Sequence, residues 1–166
     1  MPLPVPSLLT APKLHHRDVA ATTRTCYMTE TCTVVSAGGP TRAPVACPAS
    51  GIVPLDCPAL NGTIQTVSLG QNSWDFRITC GLDYNGVTDI VAVISHSFKD
   101  CLQACASYNL NHKADQCIAL HFAADLDNSV PINFGNCWLK TSTGTPNQGR
   151  ANTDAAARLV SSSWGK

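Results

Sequence analysis

The stretch "DCLQACASYNLNHKADQC", residues 100–117, decides how this chain is built. Phe98, Cys101, Leu102 and Cys105 recur at intervals of three and four, so they share one face of a helix that runs through about Tyr108. Ser97 is a natural N-cap, and Asp100 three residues later forms a shortened capping box. Asn109 and Asn111 make a stop. Cys117 then opens an alternating run, so three sulfurs lie within one short span and must be metal ligands, a redox pair or staples.

Spacing separates these chemistries. A structural zinc site usually carries two paired knuckles, whereas here Cys101 and Cys105 form one pair and Cys117 and Cys137 stand alone. A redox helix would carry Cys-x-x-Cys at its start, and that motif does not occur. Residues four apart on a helix point to the same side, so both sulfurs face one sheet and each can reach a different strand. Staples are the expected use.

Outward from the helix, "WDFRITC" alternates, with Trp74, Phe76, Ile78 and Cys80 on one face of a strand. "IVAVI", residues 90–94, reads as a short buried strand. "CIALHFAA" reads as another, with Ile118, Leu120 and Phe122 on one side and Cys117, Ala119 and His121 on the other. That parity places His121 beneath the helix or at its edge. "NCWLK" is a short strand on which Cys137 and Leu139 share a face, and "AAARLV", residues 155–160, fits either a closing strand or a helical turn. "GLDYNGVTD", "DLDNSVPINFG" and "STGTPNQG" read as loops.

Composition bounds the function. The 166 residues suit one domain with an extended arm. Lys plus Arg equals Asp plus Glu at 11 each, and no basic cluster exceeds His15-His16-Arg17, so neither nucleic acid nor an anionic membrane is an expected partner. No stretch approaches the roughly 20 apolar residues of a membrane span. Charged residues are only 13% and cysteines number nine, which points to an oxidising compartment, outside the cell or at its surface. "MPLPVPSLLTAP" lacks the charge and the unbroken apolar run of a secretory signal, so we expect a fragment of a longer product.

Residues 1–25 read as a flexible Pro- and Thr-rich arm, and 26–56 as a Cys- and Pro-rich extension that needs bridges or the next domain to hold it. The sequon Asn61-Gly62-Thr63 is an expected glycan site in a secreted chain.

The order strand, "SFKDCLQACA", "CIALHF", "NCWLK" resembles the PAN/apple module, above all its fungal extracellular variant, over roughly residues 55–162. The resemblance implies an α+β fold, a disulfide-stapled antiparallel sheet with one helix packed across it, here at residues 57–162. It implies bridges Cys105 to Cys117 and Cys101 to Cys137. By chain entropy the first contributes about 3 kcal/mol and the longer loop somewhat more. The better-known apple repeat ties its two ends together, but no Cys follows Cys137 here, so Cys80 must look backwards and Cys57 is the candidate. Of Cys26, Cys32 and Cys47, we expect Cys32 to pair with Cys47.

Catalysis finds little support. Gly-x-Ser-x-Gly and His-x-His do not occur, Asp83, Asp89, Asp125 and Asp127 fall in expected loops, and no Gly-rich phosphate loop precedes a helix, so no cofactor and no metal are expected. The five His read as structural or solvated, His112 as a helix C-terminal group. Tyr84 and Trp138 are the candidate ligand contacts, since such rings stack on sugars or anchor proteins. Trp138 lies opposite Cys137 and Leu139, with cover by the N-terminal arm as its plainer role; Trp74 belongs to the core. The resemblance implies a noncatalytic extracellular module that recognises protein or carbohydrate, at a cell wall or surface. The alternative is an assembly protein that self-associates through its Cys-rich N-terminal segment.

Overall fold

A computed structural model describes residues 23–26, 31–35, 45–46, 48–114 and 116–165. The chain divides into two compact units, Met1–Ala46 and Cys47–Lys166. In the first, β1 (Thr23–Cys26), β2 (Thr31–Val35) and β3 (Val45–Ala46) pair antiparallel in that order, with Cys26 opposite Cys32. Cys47, and with it the expected Cys32–Cys47 bridge, lies outside the described residues.

The second unit carries β4 (Ile64–Leu69), β5 (Asn72–Cys80), β6 (Leu82–Asn85), β7 (Asp89–Val93), α1 (Phe98–Asn111), β8 (Ala119–Ala123), α2 (Leu126–Asn133), β9 (Cys137–Lys140), β10 (Thr145–Gln148) and β11 (Asp154–Ser163). Six of these strands form one antiparallel sheet in the order β4-β5-β11-β8-β9-β7, while β6 and β10 form a separate ribbon. The architecture is α+β.

The helix starts where its cap dictates, because the Ser97 hydroxyl accepts the Asp100 N–H at 3.1 Å and donates to the Asp100 carboxylate at 2.8 Å. It then lays Phe98, Cys101, Leu102, Cys105 and Ala106 onto one face of the sheet, against Phe76, Ile78, Leu120, Phe122 and Leu139. Disulfides join Cys101 to Cys137 of β9 and Cys105 to Cys117, so α1 is tied at two points; Cys57–Cys80 ties the segment before β4 to the end of β5. These are the partners expected above. All four sulfur-bearing residues of the two helical bridges are fully buried.

Several elements differ from their sequence reading. "DLDNSVPINFG" holds α2, because the Asp125 carboxylate caps it by accepting the Asn128 N–H at 3.2 Å, and buried Leu126 anchors its first turn. Asp83 sits in β6 and Asp89 opens β7, so neither belongs to a loop. β7 is an edge strand, and Val91 is 40% exposed, so "IVAVI" is not a buried strand. "AAARLV" is part of β11, a strand inside the sheet. The segment before β4 also joins the core: Val53 is buried, and its N–H donates to Ala124 O at 2.9 Å.

Candidate functional site

The face of the sheet turned away from α1 carries the concentration of polar chemistry. Cross-strand register sets its rows. Ala156 of β11 lies opposite His121 of β8, His121 opposite Trp138 of β9, and Trp138 opposite Ala92 of β7. Small residues make room at one end: Ala119 and Ala156 are fully buried under Tyr84 and Leu82, so the β6/β10 ribbon lies directly on the sheet. Gly144 leads into β10 where it passes the end of β6. Its φ is +50°, and a Cβ there would run into the carbonyl oxygen of Asn85 and the Val87 side chain.

The ribbon brings Asp83 down onto the row. His121 Nδ1 lies 3.5 Å from Asp83 Oδ1, and Lys140 Nζ lies 3.7 Å from the same oxygen and 2.8 Å from Asp89 Oδ1. Asp83 Oδ1 also accepts the Tyr84 N–H at 2.6 Å. The Lys140 side chain is only 7% exposed, so its charge is out of water and answered by two carboxylates. His121 stacks on Trp138, ring centroids 5.1 Å apart and 16° from parallel. Asp83, Asp89, Asn85, Asn133, His121, Trp138 and Lys140 enclose a shallow cavity of about 310 Å³ with Tyr84 and the Gly86–Val87 turn.

His121 departs from its sequence placement. Cys117 precedes β8 and stands outside its ladder, so counting alternation from Cys117 puts His121 on the wrong face; it lies opposite α1, while Leu120 and Phe122 face the helix. Burial pushes its imidazole below the ordinary 6.5, opposed in turn by Asp83 of β6 and Asp154 of β11, reinforced by Lys140 of β9, and opposed by Asp89 of β7. Its Nε2 is buried with no partner among the described residues, which suits a neutral ring whose Nδ1–H points at Asp83. Since the unfolded chain takes up this proton first, stability from His121 is complete above about pH 6.5 and is lost as pH falls through the lower folded value. Thermal denaturation from about pH 7.5 down to about pH 5 should show a falling melting temperature. His121→Gln, which cannot titrate, should flatten that slope.

Trp138 is half-buried, and its position puts it in the cavity wall. Cover by the N-terminal arm falls outside the described residues. Tyr84 differs from the expectation of a stacking ring: it is 5% exposed, packed on Ala119 and Ala156, and burial raises its phenol above the ordinary value. It serves as wall. Trp74 is fully buried, with Trp164 edge-on at 5.4 Å and Lys113 above Trp164 at 4.8 Å.

Asn61 lies on an exposed turn, where its Oδ1 accepts the Cys80 N–H at 3.0 Å. The neighbouring Thr63 hydroxyl donates to Leu60 O at 2.7 Å. A larger groove, about 690 Å³, runs between α1 and β4 past Leu60, Val67, Phe98 and Leu102, and its charged groups are Asp56 and Lys99. Among the described residues no three His, Cys, Asp or Glu side chains converge as a metal site, and no helix is long and apolar enough to cross a membrane. Sequence reasoning missed Lys140 and Asn133, which carry no motif and gain meaning only from the register of β9 and the end of α2.

No family model matches the chain, and neither a curated protein nor a solved structure matches it.

Proposed function

We propose that this chain is a noncatalytic binding module that works outside the cell or at its surface and recognises protein or carbohydrate through the face opposite α1. The observation that carries the reading is the Trp138–His121 stack set beside Lys140, Asp83 and Asp89 in one cavity. An aromatic wall with a few fixed polar groups is what orients a ligand. Lys140 is held by its two carboxylates and the second nitrogen of His121 is sealed from solvent, which supports binding over reaction.

Three buried or half-buried disulfides support an oxidising compartment. The exposed Asn61, whose Nδ2 is left open by its bond through Oδ1, is the site we assign to an N-linked glycan. A helix with Cys-x-x-x-Cys clamped across an antiparallel sheet supports a PAN/apple-like assignment; α2 and the β6/β10 ribbon are additions to the pattern read from the sequence.

An array of glycans and cell-wall polysaccharides, run beside capture of protein partners, tests the reading. Trp138→Ala should weaken whatever binds by at least about tenfold, or ~1.4 kcal/mol, with little change in melting temperature. Undiminished binding by that variant would remove this face from consideration.

A further inference from the structure

We propose that the cavity beside Trp138 binds a pyranose bearing a free amine, so that the ligand of this face is an amino-sugar oligosaccharide. The inference rests on the reading of the face as a binding surface and adds the ligand's chemical class.

The indole supplies the platform. One of its faces is taken by His121, but its cross-strand neighbour on the other side is Ala92, and no ring among the described residues stacks on the second face. The C–H face of a pyranose is apolar and flat enough to occupy such a surface. Around it stand Asn85 and Asn133, both exposed, whose side-chain amides make no hydrogen bond to any described residue. Each amide offers a donor and an acceptor, which matches hydroxyl groups and selects no charge.

The charge is selected by the remaining groups. Asp83 and Asp89 share the single ammonium of Lys140, and with neutral His121 the cluster carries one formal negative charge in excess. Asp89 is the accessible carboxylate, since its side chain is 43% exposed while that of Lys140 is 7% exposed. An incoming ammonium therefore meets an open oxygen of Asp89. A uronate or sulfate meets the same carboxylate and cannot reach the lysine that would neutralise it. The attraction is a surface interaction, worth up to roughly fivefold in affinity and screened by salt.

Titration of the full chain with oligosaccharides of glucosamine, N-acetylglucosamine, glucose and galacturonate, at low and high salt, tests this. The glucosamine oligomer should bind about twofold to fivefold tighter than the neutral and N-acetylated ones at low salt, with the margin shrinking at high salt. The galacturonate oligomer should bind weakest. Asp89→Asn should erase the preference for the amine, and a cooperative melting transition of the same variant shows that it is folded. Equal binding of amine and N-acetyl forms, stronger binding of the acid, or a preference that survives Asp89→Asn would overturn the amine assignment and leave the binding face standing. Binding of no oligosaccharide, with a protein captured instead, would overturn the carbohydrate assignment itself.

Discussion

Replacing Cys101 and Cys137 together by Ala is expected to destabilise the second unit by about 4 kcal/mol. The sulfurs join residues 36 apart in sequence, and freeing a loop of that length returns entropy to the unfolded chain. Both residues are fully buried, so shortening them also leaves small voids at the junction of α1 and β9. Against a typical total of about 5–15 kcal/mol, the loss is a large fraction. Denaturant unfolding should show it as a lower midpoint. A loss below about 1 kcal/mol would mean that the apolar contacts and the Cys105–Cys117 bridge hold α1 without this one. The same change reaches the opposite face, because Trp138 and Lys140 follow Cys137 on β9. Binding and stability should therefore fall together, whereas Trp138→Ala separates them.

Asn136→Ala has the other large expected effect, roughly 3–5 kcal/mol. Asn136 is fully buried just before β9, where its Oδ1 accepts the Ser95 N–H at 2.7 Å and its Nδ2 donates to Ser95 O at 2.9 Å and Ala123 O at 3.1 Å. One side chain thus serves three backbone groups, two on Ser95 just after β7 and one at the end of β8. Removing it orphans all three away from water, and each buried orphan costs on the order of 1–3 kcal/mol, softened by relaxation. Faster amide exchange at Ser95 should accompany the loss. An Asn136→Ala protein as stable as the parent would show that water or a shifted backbone replaces the amide at no cost.

Asn136 also shows where sequence reading stops. Its neighbourhood reads as punctuation between a loop and a strand, and nothing in a one-dimensional pattern marks a side chain that substitutes for ladder hydrogen bonds. Asn109 is the same case: it reads as a helix stop, yet it is buried inside α1, with its Oδ1 accepting the Cys117 N–H at 2.6 Å and its Nδ2 donating to Cys117 O at 3.0 Å. What was legible had strong periodicity or a fixed chemistry. Trp74, Phe76 and Ile78 alternate because one face of β5 is wholly buried, and Ser97 caps because its hydroxyl has a defined job.

The weaker elements lack that contrast. β10, Thr145–Gln148, is exposed at every position and contains Pro146, so neither alternation nor propensity reveals it. β4 is an edge strand whose inward side chains are only half-buried, which leaves a faint pattern in a polar segment. The run Ala155-Ala156-Ala157 is ambiguous because β11 is covered on both faces, by the core beneath α1 and by the β6 ribbon, and close cover selects small residues over patterned ones. The candidate site inherits this limit. Trp138 can be picked out as an aromatic, but Lys140, Asp83 and Asp89 become a group only once β9, β6 and β7 are folded together.

The central claim is that α1 is bound to one face so that the other receives the ligand. Amide NMR of the isotopically labelled chain, titrated with the tightest oligosaccharide from the array, tests it most directly. The account predicts that shifted resonances gather at Asp83, Asn85, Asp89, His121, Trp138 and Lys140, with Gln65, Ser68 and Gln103 of the α1–β4 groove unmoved. Shifts confined to that groove, with Trp138 and its neighbours unchanged, would contradict it.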